Sequence, residues 1–326
     1  MYKSKLGIIE TEVAIKSLKD FFERSLAEQL KLIRVSAPLF VTPESGLNDD
    51  LSGLERAVSF DTKSKQQAVI VHSLAKWKRM ALDKYGFECG KGLYTDMNAI
   101  RRDEDLSAIH SYYVDQWDWE KVLKKEERTT EYLQETVRGI FKVLKSAEKY
   151  ITDLYPMLSK KLPEEITFIT SQELEDLYPE LTSKEREHTY ARAKGAIFIS
   201  QIGKVLTSGE KHDGRAPDYD DWDLNGDIIV YYAPLDIGLE LSSMGIRVSE
   251  ESMKKQLELA GQTRKESLEF HKKLLAGELP YTIGGGIGQS RLCLFFLDKL
   301  HIGEVQASLW PESVEKECEA KNIPLL

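Results

Sequence analysis

Four glycines within five residues, Gly284-Gly285-Gly286-Ile287-Gly288, followed by Gln289-Ser290-Arg291, constrain this chain more than any other stretch. Glycine lets a backbone bend tightly and approach a ligand closely, and the arginine that follows offers a planar, permanent charge suited to phosphate. The pattern reads as a glycine turn opening a buried helix, and so as a nucleotide site. Two common glycine fingerprints do not fit. A Walker A loop ends in Gly-Lys-Ser/Thr, whereas Gly288 precedes Gln289; the third glycine of a Gly-x-Gly-x-x-Gly register would fall on Gln289 or Arg291. Close packing of a helix entry against a sheet would use the same residues.

The 326 residues, 41% of them hydrophobic, can bury a full core as one large domain or two ordinary ones. No linker-like, repetitive or low-complexity tract divides them, so one domain over residues 1–326 is expected. Against 45 basic residues stand 54 acidic ones, a formal charge of −9, which disfavours a surface that tracks nucleic-acid phosphates. No apolar run approaches the about 20 residues that cross a bilayer, and the opening residues mix Lys3, Lys5, Glu10 and Glu12 with short apolar groups. No membrane partner and a cytoplasmic setting are the expectation. Cys89, Cys293 and Cys318 are odd in number and widely spaced, which indicates neither a disulfide framework nor a zinc site. The six histidines show no His-Glu-x-x-His pairing, so a histidine-bound transition metal is not expected.

Val13, Ile15, Leu18, Phe22, Leu26 and Leu30, interleaved with Lys16, Lys19, Asp20 and Glu23, mark a long amphipathic helix over 10–30. Strand-like Leu32-Ile33-Arg34-Val35 follows, then Ala37-Pro38-Leu39-Phe40-Val41, where Pro38 lacks an amide donor and suits a sheet edge. Helix, strand and edge have the makings of a dimer seam. Further strands are expected over 68–71, 96–101, 109–119, 166–169, 196–201, 228–232 and 235–243. Helices are expected over 73–85, 130–150, 171–177, 184–194, 250–260, 264–276 and 288–297, two of them begun by the capping boxes Thr170/Glu173 and Thr182/Glu185. Strands cluster instead of alternating with helices, which predicts an α+β fold: a mainly antiparallel sheet flanked by helices.

Several residues are placed as if for chemistry. Along 109–119, period-two geometry puts Tyr112, Val114, Gln116 and Asp118 on one face and Tyr113, Asp115, Trp117 and Trp119 on the other. The polar face is either solvated or turned to a ligand. Arg101-Arg102-Asp103-Glu104-Asp105 is a charged hairpin tip, a solvated turn or the donor of one arginine to a site. Lys78 lies early in a helix, whose N-terminus favours anions. Residues 213–227 form an acidic loop, suited to a cation or an ammonium group or else a flexible surface loop. Glu240, inside an apolar strand, is expensive unless a cation pairs with it, as a magnesium-bound triphosphate would.

These pieces resemble a known family. The helix, strand and Pro38 resemble motif one of the class II aminoacyl-tRNA synthetase fold, the Arg101 hairpin and the strand to Glu120 motif two, and Gly284 to Arg291 motif three. More narrowly, His72-Ser-Leu-Ala-Lys-Trp-Lys-Arg79, Val114-Asp-Gln-Trp-Asp-Trp-Glu120, Arg215-Ala-Pro-Asp-Tyr-Asp-Asp-Trp222, Leu239-Glu-Leu-Ser-Ser-Met-Gly-Ile-Arg247 and the glycine run resemble the ammonia-dependent asparagine synthetases, or aspartate-ammonia ligases. The resemblance spans nearly the whole chain and implies a class II catalytic core without an anticodon-binding domain, in a homodimer. It implies L-aspartate, ammonia and ATP as substrates, Mg2+ as cofactor, and β-aspartyl-AMP as intermediate on the way to asparagine, AMP and pyrophosphate.

Residue by residue, the resemblance gives Arg101 the α-phosphate and Arg291 the terminal phosphate and adenine, with Val114, Asp220 and Leu241 further nucleotide contacts; Asp220 could equally guide ammonia. Glu240 would hold magnesium, with Ser243 as second ligand or Ser242 in its place. Ser73, Lys78, Gln116 and Arg247 are implied contacts to the carboxylates of aspartate, Asp49 and Asp118 partners of its ammonium, and Ser243 a further contact; Asp50 could stand in for Asp49. Arg101, Asp118 and Lys78 carry the implied catalytic roles, and the carboxylate that takes the ammonium proton stays open.

Overall fold

Ala14, Ile15, Leu18, Phe22, Leu26 and Leu30 recur every three to four residues and are all buried, which makes Ile8–Leu30 a helix (α1) with one apolar face; Lys31, at φ 59°, ends it in the left-handed region. The computed structural model describes residues 2–51 and 55–326. After α1 come strands Leu32–Arg34 (β1), Phe40–Val41 (β2), Ser59–Asp61 (β3) and Gln67–Ile70 (β4), then helix Ala75–Lys84 (α2). Strands Gly92–Ile100 (β5) and Tyr113–Val122 (β6) form the long hairpin that precedes helix Thr130–Leu154 (α3). Strand Thr167–Thr170 (β7), helices Ser171–Leu177 (α4) and Ser183–Lys194 (α5), and strands Ala196–Ser200 (β8), Asp220–Tyr232 (β9) and Ile237–Arg247 (β10) follow. Helices Glu250–Leu259 (α6) and Glu269–Leu275 (α7), strand Thr282–Gly288 (β11), and helices Gln289–Phe296 (α8) and Glu312–Ala320 (α9) complete the chain.

Eight strands form one sheet in the order β1-β5-β6-β11-β10-β9-β8-β7. The end pairs β1/β5 and β7/β8 are parallel and every pair between them antiparallel, as the clustered strands predict. One face packs on α1, α3 and α8 through Phe22, Trp117, Phe198 and Phe295; the Phe21 and Tyr150 rings stack 4.2 Å apart where α1 meets α3. Both expected capping boxes form: Thr170 and Thr182 accept from the Glu173 and Glu185 amides, and each glutamate reaches back to its cap.

Four features depart from the sequence reading. The glycine run is no turn but strand β11, between β6 and β10, and none of its glycines has positive φ. What those glycines supply is room: a Cβ on Gly284 would overlap the Glu120 carboxylate, one on Gly285 would lie 2.5 Å from the Met244 Cβ, and one on Gly286 would overlap the Gln116 amide. The acidic stretch is not a loose surface loop, since Asp218, Asp220, Asp221 and Asp227 are buried and β9 already begins at Asp220. The expected helix over 264–276 is split into a 3-10 turn, Thr263–Ser267, and α7. Phe40–Val41 does not extend β1 but joins β4 and the unforeseen β3 in a separate three-stranded sheet.

Candidate active site

The sheet face away from α1 and α3 opens into a cavity of about 550 Å³. Strands β6, β10 and β11 floor it, and the 101–111 hairpin, Asp49, Lys184 on α5 and the segment before β9 wall it. Asp49, Ser73, Arg101, Val114, Gln116 and Asp118 line it, as do Asp220, Glu240, Leu241, Ser243, Arg247 and Arg291, so the geometry gathers all but one of the expected site residues. The exception is Lys78, which lies behind the wall. Its fully buried ammonium donates to Asp118 Oδ1, to the Trp119 carbonyl at 3.0 Å and to the Gly285 carbonyl at 3.2 Å. All three N–H groups are engaged, and Lys78 thereby orients Asp118, whose other oxygen accepts from the Leu74 amide at 3.2 Å.

One end of the cavity is a lattice of buried opposite charges. Arg247 donates from Nε to Glu120 Oε1 at 2.9 Å and from Nη2 to Oε2 at 2.8 Å, while Nη1 engages Asp220. Glu120 also accepts from Thr282 Oγ1 at 2.7 Å. Burial pushes Glu120 up, but Arg247 and Lys78 outweigh it and hold the carboxyl below its ordinary range. Burial wins at Asp220, raised despite Arg247, and at Asp49, raised although Lys76, the Leu51 amide and Tyr219 oppose it. Asp50, the alternative to Asp49, points away to Lys265 at 2.8 Å.

The other end is rich in cations. Arg101, His110, Lys184, Arg215 and Arg291 surround Glu240. Arg291 donates to the Glu240 carbonyl at 3.2 Å and lies 3.7 Å from its carboxylate; Arg101 has Glu104 at 3.7 Å. Burial pushes Glu240 up, and Arg291, Arg215, Lys184 and Arg101 together bring it below its ordinary value. Asp227, behind it, is pushed up by burial and by Glu240 against the pull of Arg215.

Residues three apart face opposite sides of a regular strand. In β10, however, Glu240 pairs with Ile229 and Ser242 with Ile228, so Leu241 is an extra residue, a β-bulge. Ser243 therefore reaches the same cavity as Glu240, and Ser242 is buried away from it. Glu240, Ser243 and Asp227 suit a hard cation completed by phosphate oxygens. No group of three or more His, Cys, Asp or Glu able to hold a metal occurs among the described residues.

His110, Lys184, Arg215, Tyr219, Asp227 and Glu120 were not singled out by sequence. Glu120 was within reach, since period two from Gln116 and Asp118 leads to it. Asp227 was not, because only the β9/β10 register sets it opposite Ser243. At His110, Nδ1 shares a hydrogen bond of 2.8 Å with Ser107 Oγ, which also accepts from the Ile109 amide at 3.2 Å. Burial, then Arg291 and Arg101, pull this imidazole down to about 4.

Comparison with known proteins agrees with this geometry. The family model described as aspartate-ammonia ligase matches residues 9–322. The aspartate-ammonia ligase of Fusobacterium nucleatum is 66% identical over 325 residues, 100% of this chain and 99% of that protein. That of Bacillus cytotoxicus is 60% identical over 326 residues, covering 100% of both. Among solved structures, asparaginyl-tRNA synthetase from Pyrococcus horikoshii complexed with asparaginyl-adenylate aligns with a TM-score of 0.67 at 14% identity, over 92% of this chain and 70% of that one. The Entamoeba histolytica asparaginyl-tRNA synthetase with the same adenylate gives 0.66 at 12% identity, over 92% and 66%. The fold is thus that of class II synthetase catalytic cores, and the chain belongs to the aspartate-ammonia ligase family.

Proposed function

We propose that this enzyme joins ammonia to the side-chain carboxylate of L-aspartate at the expense of ATP, through β-aspartyl-AMP, giving asparagine, AMP and pyrophosphate. The observation that carries the reading is the division of one cavity into an end of fixed, paired charges, fit for a small zwitterion, and an arginine-rich end around Glu240, fit for a triphosphate. Gly284, Gly285 and Gly286 lie between β6 and β10 on the cavity floor, where side chains would displace Glu120, Met244 and Gln116.

The chemistry follows in two steps. A side-chain oxygen of aspartate attacks the α-phosphorus, the bond to pyrophosphate breaks, and Arg101 stabilises the charge that builds on the phosphoryl oxygens. Ammonia then adds to the acyl carbon, its nitrogen loses a proton, and AMP leaves. Arg247, fixed by Glu120 and Asp220, and Gln116 hold the substrate carboxylates; Asp118, held by Lys78, faces the substrate ammonium. Asp49 and Asp220, both raised, are the better proton acceptors, because burial penalises the charged form and makes the carboxylate hold a proton more firmly. Bound between Glu240, Ser243 and the phosphates, Mg2+ would neutralise the charge of the triphosphate.

We also infer a homodimer. Ile8, Ile9 and Val13 at the start of α1 and, beyond its other end, Ile33 on the end strand β1 are all more than half exposed, apolar groups that a second copy would cover. No helix among the described residues is long and apolar enough to cross a membrane. The deciding assay supplies L-aspartate, ammonium and Mg-ATP and identifies the products. Asparagine with stoichiometric AMP is expected; ADP in place of AMP would refute the adenylate, and absence of aspartate-dependent pyrophosphate exchange would refute the substrate.

A further inference from the structure

Outside the cavity, a second charged cluster is buried against its aspartate end. Asp218 is wholly buried, and its Oδ2 accepts from Lys76 of α2 at 2.9 Å, from His271 Nε2 of α7 at 2.9 Å and from Lys265 of the 3-10 turn at 3.3 Å. Two stretches distant in sequence, α2 and the 3-10 turn with α7, thus converge on one carboxylate oxygen. Lys76 is itself only 2% exposed and has no other ion partner among the described residues, so its pairing with Asp218 is a matter of position and not of surface charge. None of these four residues lines the cavity, and none has a part in the mechanism above.

Their neighbour does. Asp49 lines the cavity and is nearly as buried as Asp218. Its own segment is pinned from several sides: its carbonyl meets His72 Nδ1 at 3.0 Å, Asn48 Oδ1 accepts from the His72 amide at 2.8 Å, and Asp50 pairs with Lys265 at 2.8 Å. The Asp49 carboxylate accepts from the Leu51 amide at 3.0 Å and is faced by Lys76 from α2 and by Asp218 and Tyr219 from the segment before β9. Lys76 is the one cation that acts on it strongly, and Lys76 is held by Asp218.

We propose that Asp218 is a positioning residue for Asp49: by occupying the ammonium of Lys76 it keeps the Asp49 carboxylate open to an ammonium group of the substrates. Lys76 bears on two buried carboxylates but makes its ion pair with the one outside the site. Were Lys76 to turn to Asp49, an internal ion pair would replace the one Asp49 offers to a ligand, and substrate would have to compete with a cation tethered beside the carboxylate. Lys265 and His271 complete the arrangement, because they hold the Asp218 oxygen in place while Lys265 also ties down Asp50. The ammonium group is either the α-ammonium of aspartate or the ammonium ion that supplies ammonia; the chemistry at Asp49 is the same. This inference rests on the function proposed above.

The test is Asp218→Asn in the full chain, with and without Lys76→Met, measuring aspartate-dependent pyrophosphate exchange and asparagine formation separately. For Asp218→Asn, the KM of one ammonium-bearing substrate should rise about tenfold or more, the size of one charge-assisted hydrogen bond, with the KM for ATP within about twofold. A rise confined to ammonium identifies the free ion; a rise for aspartate with weakened exchange identifies its α-ammonium. Adding Lys76→Met removes the competitor and should restore that KM to within about threefold, whereas a purely structural role predicts a worse protein. Unchanged KM values in folded Asp218→Asn, or no recovery in the double variant, would overturn the proposal. If Asp218→Asn does not fold, Lys76→Met alone decides: unchanged or tighter binding of the same substrate supports it, and binding weakened more than about threefold overturns it. Wild-type protein without aspartate-dependent exchange would instead sink the function itself.

Discussion

Arg247 meets Glu120 side by side, Nε and Nη2 donating to the two carboxylate oxygens at 2.9 and 2.8 Å in a place where neither side chain is more than 3% exposed. A guanidinium fixed in this way cannot swing to follow a ligand, so the ligand must fit it. Glu120→Gln keeps the shape but removes the charge. The expected result is a loss of roughly 3–5 kcal/mol of stability, the range for breaking a buried pair from one side. Urea denaturation checks this, and a loss under about 1 kcal/mol would mean that Arg247 is held by Asp220 alone.

Arg101 behaves differently, because its ion partner Glu104 lies 3.7 Å away and its Nε has no hydrogen-bond partner among the described residues. Arg101→Ala should leave the melting temperature within a few degrees of wild type. Pyrophosphate exchange should fall by about 10²–10³, as for the loss of one donor to a charge-developing oxygen. Near-normal exchange by the folded variant would remove Arg101 from the α-phosphate.

Gly286→Ala places its methyl group against the Gln116 amide, the end of a flexible side chain, so Gln116 should yield and the sheet survive. The expected outcome is a KM for aspartate raised by about tenfold with ATP affinity little changed. Gly284→Ala meets the Trp119 carbonyl at 2.6 Å as well as Glu120, and backbone cannot yield in the same way. It should fail in stability first, seen as a lower urea midpoint.

His110 is neutral in the free protein at ordinary pH, its imidazole pulled down to about 4 by burial and by Arg291 and Arg101. An unfolded histidine titrates near 6.5, so between about 6.5 and 4 the unfolded chain binds the extra proton, and the contribution of His110 to stability is lost as pH falls through that window. His110→Gln should flatten this part of the pH dependence. Phosphates brought among Arg101, Arg291 and His110 should raise the imidazole, and NMR titration with and without ATP measures the shift.

If Glu240 and Ser243 hold the metal, Glu240→Gln should raise the Mg2+ concentration for half-maximal activity by about tenfold or more. Ser243→Ala should move it in the same direction and Ser242→Ala should not, since Ser242 faces away from the cavity. Equal effects of the two serine variants would contradict the assignment.

Where local pattern and burial agree, the fold was legible in the sequence. The face of α1 from Ala14 to Leu30, the capped starts of α4 and α5, and the two sides of β6, with Gln116 and Asp118 to the cavity and Trp117 and Trp119 in the core, all follow from periodicity. Partners across the sheet were not legible. The glycines of β11 read as a turn because nothing local says that Glu120, Met244 and Gln116 crowd them on either side. The carboxylates of 213–227 read as a loop because Arg247, which pairs with Asp220, and the cations around Asp218 come from elsewhere in the fold, while nothing local says that Arg215 folds back onto Asp227. The site residues carried over by resemblance are nearly all in one cavity, whereas Lys78 lies behind its wall, among the Asp118, Trp119 and Gly285 oxygens that surround its ammonium.

The extra residue at Leu241 gives β10 two phases. Upstream, even-numbered Glu240 faces the cavity and odd-numbered Leu239 the core; downstream, odd-numbered Ser243 and Arg247 face the cavity and even-numbered Met244 and Ile246 the core. The parity of the strand switches between Glu240 and Ser243, and both ends of the cavity are served by one continuous backbone. With that extra residue removed, plain alternation would run on from Glu240 and leave Ser243 and Arg247 on the cavity face, so the bulge sets the local bend and twist between them and not the side to which they point.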